Sequence, residues 1–306
     1  MQFSLTAITV LMMIAYAIPG YLLIKSKLIK SDSISAFAAV LLYVCQPCLS
    51  IYSFQKVIYS KELAINMLIF FALSAALQLF MLGILFIVFH KRFDNSKYRI
   101  ISVASTFGNV GFLGVPLLEA LLPNHPEAVT YSAVFIVSMN LISWTLGSYL
   151  ITGNKSFISV KKLLLNPPIL SLVVALPLFF ASIQIPKDVM NPITLLGRMT
   201  TPISMIILGM RFATTKTKEI FIDNNIYITS VIKLLVFPLL GYLLTHFLPI
   251  SYAMKATIFI LCCCPTASTV LSLSEIYKNG QKYAANAVLA TTIFSILCIP
   301  VLLLIL

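Results

Sequence analysis

Ten apolar runs follow one another along the chain, at roughly 3–24, 34–55, 63–89, 100–122, 129–151, 167–185, 190–212, 225–247, 253–275 and 283–306, with polar residues gathered in the short connections between them. Each run is long enough to cross a hydrocarbon layer, so each predicts a transmembrane helix. The first run has no Lys or Arg before it and no small-residue cleavage pattern after it, which predicts a retained helix rather than a removed signal peptide.

Two of the runs carry their own interruption. In run 4 the stretch 108–116 reads GNVGFLGVP, where three glycines lower helix propensity and Pro116 lacks an amide hydrogen. In run 9 the stretch 262–268 reads CCCPTAS and brings Pro265, Thr266 and Ser268 to mid-span. Hydrocarbon offers no water to freed backbone groups, so such breaks persist only where protein or a polar cavity covers them. Half-helix ends carry partial charge and unpaired amides or carbonyls, and amino ends favour an anion. Asn109 adds a neutral amide with donor and acceptor character. The candidate substrate-binding set is therefore Asn109, Val110, Gly111, Gly114 and Pro116 from run 4, with Pro265, Thr266, Ala267 and Ser268 from run 9.

Charge supplies the topology. Of 21 Lys and Arg, 15 fall in the odd-numbered connections and 4 in the even-numbered ones, counting Arg211 and Lys255 at the edges of runs 7 and 9 with the adjoining connections, while Arg198 and Lys233 lie deep within runs. The positive-inside rule then makes the odd connections cytoplasmic and places both termini outside. Five runs per half require a second half, if it repeats the first, to sit upside down. Pro19 pairs with Pro177 at an offset of 158, Pro47 with Pro202 at 155, and Gly111 with Pro265 at 154, while Tyr131 and Ser143 match Tyr283 and Ser295 at 152. The expected architecture is a five-plus-five inverted repeat, 1–152 and 153–306, whose broken helices 4 and 9 cross near the midplane.

Composition agrees and excludes other classes. With 306 residues, 60% hydrophobic and 10% charged, there is too much apolar surface for one soluble core. The net charge of +12 is scattered over short connections, with no basic face interleaved with aromatics, so no nucleic-acid partner is expected. All six cysteines lie inside apolar runs, and the CxxC of Cys45 and Cys48 has no βαβ context; no metal or cofactor is expected. His90, His125 and His246 fall at run ends without a paired motif, which leaves an intramembrane hydrolase without support.

Arg198 lies about eight residues into run 7, roughly 12 Å deep, and Lys233 is similarly deep in run 8. A charge at the bilayer centre costs on the order of 3 kcal/mol, so each should face protein or water unless it snorkels to the headgroups. Lys233 is expected to support an anion or to compensate a carboxylate across the crossing. Glu119, one turn beyond Pro116, is the nearest carboxylate to the break and a candidate for ion or proton coupling. Gln46, Asn140, Thr291 and Thr292 either line the cavity or form interhelical hydrogen bonds.

The stretch 109–118, NVGFLGVPLL, resembles the fourth-helix motif of the auxin efflux carrier family. LGM at 208–210, Lys233 with Pro238, PTASTVLSLSEIY at 265–277 and Ile299 with Pro300 resemble that family's later helices. Gly108 stands where the plant motif often has proline, and the long central loop of many plant members is absent. The resemblance implies a ten-helix fold related to bile-acid sodium symporters. It implies a core of helices 3, 4, 5, 8, 9 and 10 moving elevator-fashion against a scaffold of helices 1, 2, 6 and 7, and homodimers through that scaffold. Asn109 matches the family's substrate-contacting asparagine, and Pro116 and Pro265 its crossover prolines. The function expected is a secondary transporter of a small organic anion in the plasma (inner) membrane, a dicarboxylate such as malate or malonate preferred. A sodium-coupled symporter is the alternative within transport, and a membrane receptor or regulatory subunit is the alternative outside it.

Overall fold

The computed structural model describes residues 8, 11–12, 15–154, 167–215 and 220–306. The basic stretch 155–162, the lysines at 216 and 218, and most of the first half of run 1 lie outside the described residues. All regular structure among the described residues is helical. In chain order the helices are α1 (Ala17–Lys25), α2 (Ser33–Gln55), α3 (Lys61–Phe89), α4 (Ser96–Thr106), α5 (Val110–Leu121), α6 (Glu127–Thr152), α7 (Pro167–Phe180), α8 (Lys187–Thr214), α9 (Asn224–His246), α10 (Tyr252–Cys263), α11 (Ser268–Ile276) and α12 (Gln281–Leu302). Among the described residues six helices, α2, α3, α6, α8, α9 and α12, are long and apolar enough to cross a membrane. Three shorter apolar helices accompany them, at Val110–Leu121, Leu170–Phe180 and Tyr252–Cys263.

The distribution of polarity suits a lipid solvent. Large apolar side chains such as Leu68, Ile87, Val173 and Leu297 stand on the outside, two-thirds or more exposed, while Ser102, Thr106, Thr130, Thr266 and Thr291 are buried. Polar groups in hydrocarbon must find partners within the protein, which draws them inward. Helix starts are capped where connections are short: Ser60 accepts from the Leu63 amide, Asn95 from Lys97, Asp223 from Asn225 and Ser251 from Met254.

Three of the prolines within helices follow widened turns, whereas Pro192 of α8 and Pro300 of α12 lie in α-helix without one. Five-residue π-type turns at Leu41–Cys45, Val110–Gly114 and Ile232–Val236 each end two residues before a proline, namely Pro47, Pro116 and Pro238. Proline has no amide to donate and its ring crowds the carbonyl four residues back, and a wider turn removes both conflicts without ending the helix. Pro116 therefore continues α5. The break in run 4 lies seven residues earlier, at 107–109, where Phe107 is extended (φ −84°, ψ 125°) and Asn109 leaves the helical region (ψ 58°).

Packing gathers α1, α2, α7 and α8 on one side. The α1 and α8 backbones touch at Gly20 and Gly209: a Cβ on Gly209 would lie 2.7 Å from the Ala17 carbonyl carbon and 2.9 Å from the Tyr21 nitrogen. Gly197 of α8 approaches α2 less tightly, a Cβ there lying 3.0 Å from the Leu49 backbone. On the other side α3 meets α6 through stacked Phe70 and Tyr131 rings, 4.9 Å apart, and a buried hydroxyl pair, Ser74 and Ser138, at 2.9 Å. Gln78 donates to the same Ser138 hydroxyl at 3.0 Å.

Candidate functional site at the paired breaks

The two interruptions meet. Gly108 and Thr266 form an antiparallel bridge in which the Asn109 amide donates to the Pro265 carbonyl at 2.7 Å and the Ala267 amide donates to the Phe107 carbonyl at 2.9 Å. Side chains lock the junction: the Thr266 amide donates to the Thr291 hydroxyl of α12 at 3.0 Å, and the Thr266 hydroxyl donates to the Ala104 carbonyl at 2.8 Å. Backbone freed by each break is thus satisfied by the other, as a buried irregular segment requires. Gly108 lets the two segments approach closely: a Cβ there would lie 3.1 Å from the Lys233 ammonium and 3.3 Å from the Leu261 carbonyl oxygen, a tight fit.

Beside this junction lies a cavity of about 420 Å³, bounded by α2 and α8 on one wall and by α5, α6 and α11 on the other. Its size suits a small-molecule ligand. From the expected substrate set, Asn109, Val110, Gly111, Ala267 and Ser268 line it, as do Gln46 and Asn140. The amides of Gly111 and Phe112 open α5, those of Ser268 and Thr269 open α11, and all four stand too early in their helices for an intrahelical acceptor. Two amino ends therefore present donors and positive partial charge to one space. Gln46 is only 9% exposed, and its amide oxygen has no protein partner.

Other expected residues stand behind this wall or at its edges. Gly114 packs against Leu261 and Cys264, Pro116 lies in the first α-helical turn after the widened one, and Pro265 and Thr266 hold the junction itself. Lys233 is fully buried and does not snorkel. Its ammonium donates to the Thr106 carbonyl at 3.4 Å, the last residue of α4, and lies 4.4 Å from the centre of the Phe237 ring. Its hydrogen-bond partner is a helix-terminal carbonyl rather than a carboxylate across the crossing. Arg198 is exposed near the end of the first half of α8 and donates to the Tyr52 hydroxyl at 3.1 Å.

Glu119 is held in an ion pair with Lys56 at 2.7 Å, away from the cavity. Lys56 is kept above the ordinary lysine range: burial pulls it down, and the hydrogen bonds and charge of Glu119 and Tyr52 together outweigh that pull. Thr291 serves the junction and Thr292 bonds back to Val288 of its own helix.

The cavity also contains residues that the sequence reading assigned elsewhere or passed over. Arg211, read there as part of a basic connection, lines it and pairs with Glu275 at 3.5 Å. Ser204, Thr269 and Ser272 add hydroxyls, and Trp144, the only tryptophan, brings a buried indole N–H without a protein partner. Arg211 lies nine residues after Pro202, as Lys56 lies nine after Pro47.

An all-helical, multi-pass membrane protein with a donor-lined cavity at two paired helix breaks has the construction of a solute carrier. The sequence matches the membrane transport protein family over residues 5–160 and again over 154–303, and the chain belongs to that family, the one that includes the auxin efflux carriers. Its members are transporters rather than enzymes. No curated protein matches the chain.

Proposed function

We propose that this chain is a secondary carrier for a small organic anion, with a dicarboxylate such as malonate or malate as the preferred substrate. The observation that carries the reading is the pair of helix amino ends, α5 and α11, opening into one cavity beside Asn109. Carboxylate oxygens are the acceptors that four free amides and an asparagine NH2 would take, and helix amino ends stabilise negative charge. Lys233 supports an anion indirectly. It neutralises the carboxyl end of α4, which would otherwise repel a negative guest across the junction. The same ammonium sits where a coupling cation would be drawn, which favours a carrier that does not use sodium.

Movement in this reading is of the elevator type, within a ten-helix, five-plus-five inverted repeat. The group of α1, α2, α7 and α8 is the scaffold and also the homodimer contact, and the remaining helices carry the site. Both termini face away from the cytoplasm, as the basic connections require.

A thermal-shift series with purified protein tests the reading. Malonate or malate at a hundred times its dissociation constant stabilises the folded state by about 2.7 kcal/mol. The parent is expected to show that shift and Asn109→Ala to lose most of it, with uptake of labelled malonate into proteoliposomes falling in step. An unchanged shift in Asn109→Ala would move the site away from α5.

A further inference from the structure

Two ion pairs tie the α2 and α8 side of the protein to the half-helices that begin at the cavity. Lys56 follows the end of α2 and holds Glu119 near the end of α5 at 2.7 Å. Arg211 lies near the end of α8 and holds Glu275 near the end of α11 at 3.5 Å. The pairs correspond in position: each basic residue stands nine after a proline, Pro47 or Pro202, and each glutamate stands one or two residues before the end of a half-helix that starts at the junction. From the amino ends, Glu119 lies about 14 Å along α5 and Glu275 about 10 Å along α11, at 1.5 Å per residue. The antiparallel junction sends these two half-helices toward opposite ends of the bundle.

The two ends are not in the same condition. The cavity runs from the junction to Arg211 and the half-exposed Ile276, and neither Lys56 nor Glu119 lines it. The pair that borders the cavity is the long one, and the pair away from it is the short one. Arg211 is also the one charged side chain among the residues that line the cavity.

We propose that these are exchangeable pairs, one per mouth: at a shut face the glutamate on the moving half-helix occupies the cation, and at an open face the substrate's carboxylate competes for it, so Arg211 receives the anion at one mouth and Lys56 at the other. The inference rests on the organic-anion reading above and adds the residues that meet the anion at entry. An exposed pair contributes little to a folded state, but as a difference between two states of similar stability it shifts their ratio by about 2- to 5-fold. No covalent step is involved.

The test reads the two parts separately, on full-length protein in which Cys48 and Cys298 are replaced by serine and Ser272→Cys reports cavity access to a membrane-impermeant maleimide. Lys56→Glu sets two carboxylates against each other at the shut end. It is expected to lower the labelling rate of the reporter several-fold, and Lys56→Glu with Glu119→Lys is expected to restore it. Rates unchanged in the single variant, or unrestored in the exchanged pair, overturn the state-dependent pairing. In proteoliposomes Arg211→Gln is expected to raise the half-saturating malonate concentration at that mouth at least 5-fold, with Arg211→Lys recovering most of the loss. Malonate uptake that ignores Arg211→Gln overturns the receiving role. A parent that takes no malonate while the labelling pattern holds strikes the substrate reading and leaves the paired latch standing.

Discussion

The tightest backbone approach in the protein gives its sharpest stability prediction. At Gly209 an added methyl carbon would meet the Ala17 carbonyl oxygen far inside van der Waals contact, with the carbonyl carbon at 2.7 Å and the Tyr21 nitrogen at 2.9 Å. All three are backbone atoms, so no rotamer change relieves the clash, and α1 must move away from α8 by roughly 1.5 Å. Helices in lipid associate through close packing rather than through a hydrophobic drive, so that separation removes what joins them. Overpacking of this kind costs about 1–3 kcal/mol, and a backbone-to-backbone case belongs at the upper end. Gly83 of α3 is the internal control, because a methyl there meets nothing within 4 Å. Gly83→Ala should stabilise by about 0.5–1 kcal/mol through helix propensity alone. Melting of the purified variants in one detergent should therefore move in opposite directions, Gly209→Ala downward by on the order of 5 °C and Gly83→Ala slightly upward. Equal melting temperatures for the two would refute the α1 and α8 contact. Malonate affinity of whatever Gly209→Ala remains folded should match the parent, because this contact lies outside the cavity wall.

At the junction, Lys233→Glu places negative charge against the carboxyl end of α4 and should abolish accumulation of folded protein, read by size-exclusion chromatography, whereas Lys233→Arg should retain it. Thr291→Ala leaves the buried Thr266 amide without its acceptor and should cost about 1–3 kcal/mol, measured by denaturant or thermal unfolding, with a larger effect than Thr292→Ala, whose hydroxyl only bonds back within α12. Asp223 is held below the ordinary carboxylate range: partial burial pushes it up, and hydrogen bonds from Lys97 and Asn225 outweigh that push. A depressed carboxyl contributes stability that is present above its unfolded pKa, about 3.9, and is lost as pH falls through the folded value. The gap in melting temperature between parent and Asp223→Ala should hold from pH 7 to pH 5 and close in stronger acid.

Much of this was legible in the chain because a bilayer makes coarse features decisive. Apolar runs must become helices, and a glycine-rich interruption in one must be covered, so the two breaks were visible from spacing alone. The residue that does the breaking was not. Pro116 is the strongest breaker on local grounds, yet the widened turn at Val110–Gly114 accommodates it, and the chain leaves the helix at Phe107, an ordinary helix former. What stops α4 there is tertiary: the Phe107 carbonyl and the Asn109 amide find partners on 265–267 that a continued helix would forfeit. Arg211 was hidden for a related reason. Its place in a basic connection explains its charge, and only folding brings α8 against α11 to put it on the cavity wall.

The charge sense of the cavity follows from chain direction rather than from any acidic or basic side chain at its centre. At the junction each broken helix has one carboxyl end, α4 or α10, and one amino end, α5 or α11. Had both kinds of end faced the cavity, their partial charges would cancel. Instead the amino ends open into it, and the carboxyl end of α4 is turned toward Lys233, which donates to the Thr106 carbonyl. A buried lysine is costly in hydrocarbon, about 3 kcal/mol at mid-bilayer, and is retained only if something opposes that cost. The carboxyl end of α4 does so, at up to about 2 kcal/mol in buried geometry, with the face of the Phe237 ring 4.4 Å away adding to it. The lysine and the α4 carbonyl thus cancel one another behind the wall, leaving the uncompensated donors of α5 and α11 to favour the negative guest proposed above.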